Sequence, residues 1–433
     1  MQFDDALRYL LSLGHETLAI KLGLTNTERL LDALGRPQSA FPAVQIAGTN
    51  GKGSTAVMLD AAARASGIKT GLYTSPHLVS ITERIRIDGQ EITRQEFARL
   101  TAHVRSVAER LRDEGVLDAL PTFFEHLTAI ALTAFREAQV QLAILETGLG
   151  GRLDSTTVAR AETVAITPIA LDHQEYLGAT LAEIAAEKAA IIRPGVAAVV
   201  APQLPEALEV ILKRCAECEV LPRSEDCRIK ITGADADGHI RVTFETKRDR
   251  YENVRLGLRG RHQVVNASVV IRLAEALRER GFAVSRADII RGLESAEHAG
   301  RLELRKGRPA MLFDGAHNAA SARALTLYLN EFVAAPVTLL FGAMRDKDLT
   351  EMTATLFPSA HRLILTQLEN PRAATLETLA RFVPPHIAPD RITLTSSPAE
   401  ALRVAREQTP PHGIICVTGS LYLVGEMMKL TET

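Results

Sequence analysis

The chain reads as an α/β protein built from two mainly parallel sheets carried in succession, and three observations predict it. Short apolar runs rich in β-branched residues alternate with longer stretches of helical periodicity. From about residue 219 to 258 that rhythm gives way to short alternating segments such as RIKITGADADGHIRVTFET, the pattern of an antiparallel hairpin excursion. After SAEHAGRLE the α/β rhythm resumes.

In order, AVQIAG (43–48) is a strand and STAVMLDAAARAS a helix. QLAILETG is a second strand, and TVAITPI a third that precedes the amphipathic stretch LAEIAAEKAAIIRPG. AAVVAP is a fourth strand, followed by the helix LPEALEVILKRCAE. Beyond residue 300 come the strands AMLFDGAHN, VTLLFGAM, HRLILTQL, RITLTS and IICVTGS, with helices SARALTLYLNEF and PAEALRVAREQ between them. This gives an expected first domain over 1–296, a smaller one over 301–433 and a hinge at 297–300, in keeping with the size of ordinary domains.

Of 433 residues, 46% are hydrophobic and 24% charged, and the formal net charge is -2. That balance fits a globular chain and gives no attraction for a polyanion, so nucleic acid is not expected as a partner. The amino terminus, MQFDDALRYLLSLGHETL, reads as an amphipathic helix without the basic start and small-residue cleavage site of a signal peptide. With no uncharged apolar run of bilayer length, the expectation is a cytoplasmic protein that does not meet a membrane. Cys215 and Cys218 form a C-x-x-C pair, but Cys227 stands alone and Cys416 lies in an apolar run, so reduced thiols are expected rather than a zinc site.

The residues that carry chemistry cluster at strand ends. IAGTNGKGST (46–55) resembles a phosphate loop but departs from G-x-x-x-x-G-K-[ST]: Ile46 stands at the first glycine and Gly53 at the hydroxyl. Strand, glycine-rich turn with Lys52 and a helix beginning near Ser54 together make an anion nest. No N-K-x-D base-reading motif accompanies it, which weighs against a GTPase. Glu146 at the end of QLAILE is placed as a Mg²⁺ ligand or as a solvated strand-end acid. Asp172 and His173 end another strand, His173 as a phosphate contact or a core-edge residue. Lys188 beside Glu187 reads as a salt-bridged helix lysine. Asp314, His317 and Asn318 end one strand of the second sheet and Asp346, Lys347 and Asp348 another, so both sheets present polar groups to one cleft.

Taken together these residues resemble the folylpolyglutamate synthase and dihydrofolate synthase family, within the Mur ligase superfamily. The likeness spans nearly the whole chain in order: GTNGKGS at 48, YTSPHL at 73, ERIRI at 83, ETGLGGRLD at 146, LDHQEYLG at 171, EKAAIIRPG at 187, HQVVNA at 262, GRLE at 300, DGAHN at 314, DKD at 346 and TGSLYLVGE at 418. The resemblance implies a P-loop-type ATPase domain with a mostly parallel sheet and a smaller Rossmann-like α/β domain. It implies an ATP-dependent ligase that joins L-glutamate to dihydropteroate, to a reduced folate, or to both, through an acyl phosphate. Gly48, Thr49, Asn50, Gly51, Lys52, Gly53, Ser54, Asn266, Arg301 and Asp314 would then contact ATP. Ser75 and Glu146 would hold one Mg²⁺, and Glu146 with His173 a second, supported by a carbamylated Lys188; K⁺ is a further cation the family admits. Lys52, Lys188, Arg301 and His317 would act in catalysis. Arg84, Thr122, Phe124, Asp154, His317 and Ser420 would face the acid substrate or glutamate, in a chain working as a monomer. Thr157 stands where the family often has asparagine, Ala190 where it has glycine and Ala319 where proline is common. A monofunctional folylpolyglutamate synthase, a Mur-type ligase for another acid and an inactive ATP-binding scaffold are the rival readings.

Overall fold

The computed structural model describes residues 1–14, 23–224 and 227–432, with residue 432 described by its backbone alone. The first sheet holds β1 (Ala43–Ala47), β2 (Thr70–Tyr73), β3 (Ile85–Ile87), β4 (Gln90–Glu91), β5 (Leu142–Glu146), β6 (Thr163–Ile166) and β7 (Ala197–Val200), in the order β4-β3-β2-β5-β1-β6-β7. From β2 to β7 the pairing is parallel; β3 and β4 run antiparallel at one edge. A parallel sheet is covered on both faces, which is why its central strands read as near-continuous apolar runs, broken in β1 only by the buried Gln45. Ala143 and Leu145 of β5 face one core while Leu142 and Ile144 face the other, and β1 divides in the same way.

Residues 227–259 form a three-stranded antiparallel meander, β8 (Cys227–Ala234), β9 (His239–Thr246) and β10 (Arg250–Arg259), one strand more than the expected hairpin. Its inner face, with Val242, Phe244, Tyr251 and Leu256, joins the core that also takes in the helices Lys52–Ala65, His262–Glu279 and Arg286–Ser295. β8 is the outer strand, and it leaves Ile229 and Ile231 exposed, alternating with Arg228 and Lys230. The third sheet, β11 (Glu303–Arg305), β12 (Ala310–Phe313), β13 (Val337–Phe341), β14 (Arg362–Thr366), β15 (Ile392–Thr395) and β16 (Ile414–Thr418), has the order β11-β12-β16-β13-β14-β15. All its pairings are parallel except β11 with β12.

The first and third sheets meet through the loop that follows β2. Leu78 and Val79 pack against the core built by Phe313, Leu340, Val417, Leu423 and Met427. The helix Leu421–Glu432 approaches so closely that a Cβ on Gly425 would lie 2.0 Å from the Leu78 carbonyl oxygen. The expected amino-terminal helix is present as Phe3–Ser12, burying Ala6 and Leu10; His15 to Leu18 of that expectation lie outside the described residues. Within the amphipathic stretch LAEIAAEKAAIIRPG the helix runs over Leu181–Ala189 and stops before Pro194. Among the described residues no helix is long and apolar enough to cross a membrane, and all four cysteines are free thiols.

Helix Arg286–Ser295 lies on Lys52–Ala65 through Gly292, where an added Cβ would meet the Ala62 backbone at 2.3 Å. Backbone cannot swing aside as a side chain can. Gly292→Ala is therefore expected to lower stability by about 2 kcal/mol in urea unfolding; a loss below about 0.5 kcal/mol would mean that the two helices separate freely.

Candidate functional site

The carboxyl ends of β1, β2, β5 and β6 face those of β12, β13 and β16 across one cavity of about 500 Å³. Every expected site residue lines it except Arg84. Arg84 is buried elsewhere: its Nε donates to His77 Nδ1 at 2.9 Å, and its guanidinium stands 5.6 Å from the centre of the Phe123 ring.

The glycine-rich turn leaves β1 and enters the helix at Lys52, two residues before the expected start. Gly51 has φ +88°, and a Cβ there would sit 2.2 Å from Asn266 Oδ1, so only glycine lets the turn rest on that buried side chain. Asn266 Nδ2 donates to Gln263 Oε1 at 2.8 Å, which turns the Gln263 amide nitrogen toward Ser54 Oγ at 3.3 Å. Ser54 Oγ also lies 3.2 Å from His298 Nδ1. Lys52 Nζ rests on the Thr49 carbonyl at 3.3 Å, on the cavity wall.

Glu146 is buried at the end of β5, and its Oε2 accepts the Ser75 N–H at 3.1 Å. Burial pushes its carboxyl above the usual range, against the opposing charges of Lys52, Arg301 and Arg84 and the Ser75 hydrogen bond. His173 follows on the β6 loop with its imidazole lowered to about 3, chiefly by burial and against the pull of Asp172, so its ring nitrogens are free of extra charge. Among the described residues no three His, Cys, Asp or Glu side chains gather at metal-binding distance. A divalent ion whose remaining ligands are phosphate oxygens and water needs only one or two protein groups. A buried carboxylate beside a serine hydroxyl and a neutral imidazole fits that requirement.

Lys188 does not pair with Glu187, contrary to the helix-lysine reading. Glu187 turns outward to Arg152 at 3.0 Å, while Lys188 is buried and its Nζ donates to the Gly48 carbonyl at 2.8 Å. Burial, then the charge of Lys52, lowers its amine to about 7, against Asp172, Asp154 and Glu187.

On the far side, Asp314 Oδ2 and Oδ1 accept the N–H groups of Leu302 and Ala316, each at 3.0 Å. Burial raises its carboxyl, with Arg301 opposing. Arg301 Nη1 reaches the Gly315 carbonyl at 3.4 Å. His317 Nδ1 lies 2.8 Å from that same carbonyl, which can only accept, so Nδ1 carries a proton. Ser420 Oγ accepts the Tyr422 N–H at 3.1 Å. At the other end of the cavity Thr122 caps the helix Phe123–Glu137 by accepting the Glu125 N–H. Phe124 packs beside Gly148, 5.9 Å from the Tyr73 ring. Asp154 accepts the N–H groups of Leu149 and Thr156, both at 3.0 Å. Thr157 does not line the cavity: it donates to the Gly151 carbonyl at 2.7 Å and accepts from Gln45 Nε2 at 2.8 Å, below the glycine loop.

The candidate set lacked the residues that join the two sides. Asp172 is buried on the β6 loop; Lys347 Nζ lies 2.5 Å from its Oδ1, and His317 Nε2 3.4 Å from its Oδ2. Asn318 Nδ2 donates to Asp172 Oδ2 at 3.2 Å and to Asn50 Oδ1 in the phosphate loop at 3.0 Å. Burial alone would raise the Asp172 carboxyl, but the hydrogen bond and charge of His317, with the charge of Lys347, hold it well below its usual range. Strand-end position and membership of the motifs LDHQEYLG, DGAHN and DKD were the sequence signals these residues carried, and neither reveals pairings 146 or 175 residues apart.

Residues 46–274 match the Mur ligase middle domain, and residues 300–421 match the Mur ligase glutamate ligase domain. The chain is 33% identical over 422 residues to the dihydrofolate synthase/folylpolyglutamate synthase of Bacillus subtilis, covering 96% of each. It is 35% identical over 432 residues to a probable bifunctional folylpolyglutamate synthase/dihydropteroate synthase of Haloferax volcanii, matching 98% of this chain and only 50% of that longer one. Among solved structures, Mycobacterium tuberculosis folylpolyglutamate synthase with ADP superimposes at TM-score 0.91 and 31% identity, covering 100% of this chain and 98% of the other. A bifunctional folylpolyglutamate synthase/dihydrofolate synthase with Mn, AMPPNP and L-glutamate bound gives 0.86 and 28%, with the same coverage.

Removing Asp172 would leave Lys347 charged and enclosed. Asp172→Ala is expected to destabilise the protein by about 3 kcal/mol in urea unfolding. A loss under about 1 kcal/mol would show that water replaces the carboxylate.

Proposed function

The chain belongs to the folylpolyglutamate synthase and dihydrofolate synthase branch of the Mur ligase family, and from that membership we propose that it joins L-glutamate to both dihydropteroate and reduced folates at the expense of ATP. The observation that carries the reading is a single cavity in which a phosphate loop, Glu146 and Lys188 from the first sheet meet His317, Ser420 and Lys347 from the third. Such a chamber can activate a carboxylate at one wall and present an amine from the other.

The γ-phosphoryl group passes from ATP to the substrate carboxylate, giving an acyl phosphate; the glutamate amine attacks its carbonyl and phosphate leaves. Gly48 to Ser54 and Asn266 cradle the nucleotide, with Asp314 and Arg301 holding it from the second side. Lys52 and Arg301 offset charge as the phosphoryl group moves. Two Mg²⁺ ions, when bound by Ser75 with Glu146 and by Glu146 with His173, supply the remaining neutralisation. A Lys188 amine lowered to about 7 is partly neutral at neutral pH, the form that adds CO₂, and the resulting carbamate would turn a buried cation into an anion beside those ions. K⁺ completes the ion requirement in this reading. Thr122, Phe124, Asp154 and Arg84 serve the pteroate side, Arg84 indirectly through His77 and Phe123; His317 and Ser420 serve the glutamate side.

In this reading the enzyme works as a monomer in the cytoplasm. Its regions 1–296 and 301–433 turn about 297–300 to exclude water from the acyl phosphate.

The test is L-glutamate-dependent ADP and phosphate release with Mg²⁺ and ATP, in parallel on 7,8-dihydropteroate and on tetrahydrofolate. Turnover is expected on both. Turnover on one would make the enzyme monofunctional, and silence on both with ATP bound would point to another acid. Lys52→Ala is expected to reduce kcat at least a hundredfold with folding intact. With carbon-13 bicarbonate, a carbamate resonance is expected that Lys188→Met lacks; its absence from the native enzyme would remove the carbamate from the mechanism.

A further inference from the structure

His298 belongs to the short connection between helix Arg286–Ser295 and β11, yet it lies against the phosphate loop. Its ring packs on Gly53, where an added Cβ would meet His298 Cε1 at 2.8 Å. The imidazole stands behind Ser54, on the wall of a second, small cavity of about 40 Å³ shared with Ser75, Glu146 and Arg301. Ser54 itself is buried and lines the main cavity. One serine hydroxyl therefore stands between the nucleotide space and a histidine of the connecting strip.

We propose that His298 is a positioning residue for the nucleotide: it sets the direction in which the Ser54 hydroxyl donates, and so ties the connecting strip to occupancy of the phosphate loop. The inference rests on the ATP-binding reading above.

Ser54 Oγ has one proton to give and two acceptor positions. The Gln263 amide fills one acceptor position, its orientation fixed because its oxygen already accepts from Asn266. In the proposed free state the Ser54 proton goes to His298 Nδ1, 3.2 Å away. That makes Nδ1 an acceptor and leaves the ring proton on Nε2. Packing around the ring, together with Arg301 and Arg86, keeps the imidazole neutral, so it has only one ring proton to place.

A phosphate oxygen in the main cavity is a stronger acceptor than a neutral imidazole. The Ser54 proton then turns to the phosphate, and Oγ has a free acceptor position facing His298. The bond is restored when Nε2 releases its proton to water and Nδ1 takes one, so that Nδ1–H donates to Ser54. The small cavity beside the ring has room for the water this exchange requires. In the bound state Ser54 is fully satisfied, accepting from Gln263 and His298 and donating to phosphate. Strip and loop are then held by a bond whose polarity has reversed.

The full-length protein labelled with nitrogen-15 histidine, titrated with ADP and Mg²⁺, reads this directly. His298 is assigned by the signal missing from His298→Gln. The expected result is an Nε2–H ring without nucleotide and an Nδ1–H ring with it. An unchanged tautomer in protein that has demonstrably bound ADP overturns the proposal, whereas failure of the native protein to bind ADP at all would instead sink the ATP reading. Kinetically, His298→Ala should raise the KM for ATP roughly tenfold and leave that for L-glutamate unchanged, and His298→Asn, which keeps an N–H donor, should recover most of the loss. In a Ser54→Ala background His298→Ala should add nothing. An equal penalty in both backgrounds would show that the histidine acts only through packing.

Discussion

A buried anion, Asp172, governs how the two halves of the cavity meet. It stands on a loop of the first sheet and is surrounded by Lys347, His317 and Asn318 of the third. Taking a carboxylate out of water is unfavourable unless partners surround it, and here the side chains that hydrogen-bond it come from across the cleft, with His173 of its own loop 4.0 Å away. The same asparagine that touches Asp172 also reaches Asn50 in the phosphate loop. Placement of His317 on one wall of the cavity and of the phosphate loop on the other thus depends on one charge.

Around that centre the chain surrounds polar groups with tight backbone contacts. Gly51 lets the loop rest on Asn266, and Gly425 lets the last helix rest on Leu78. The Leu78 loop also carries Ser75, whose N–H holds Glu146. The proposed metal ligands are consequently braced by the third sheet as well as by their own. Lys188 is braced differently: buried, it spans from helix Leu181–Ala189 to the Gly48 carbonyl, so the phosphate loop is fixed at both its ends.

Much of this was legible in the chain before folding. Central parallel strands such as β1 and β5 are buried throughout and apolar apart from Gln45 and Glu146, and their glycine-marked ends announced a ligand rim. The short, glycine-containing β2 and the two-residue β4 lacked enough periodicity to register. The third strand of the 227–259 meander was hidden because β10 carries irregular register against β9. At the site, residue types could suggest ligands but not partners. Lys188 beside Glu187 reads as an ion pair by sequence distance, yet burial turned one inward and Arg152 drew the other outward. Asp172, Lys347 and His298 matter through contacts made across the fold, and a local pattern contains no distances of that kind. Thr157 reads as a departure from the family's usual asparagine, and the structure makes it a strut between Gln45 and Gly151.

The outer strand of the meander bears on how the protein behaves in concentrated solution. β8 offers a free edge with Ile229 and Ile231 exposed, and an open edge with apolar side chains is a template for pairing with another chain. Arg228 and Lys230 flank the isoleucines, so two such edges repel as they approach. That protection is purely ionic and has a range set by the salt. As ionic strength rises the screening length shrinks and apolar association strengthens, so low salt keeps these edges apart and concentrated sulfate brings them together.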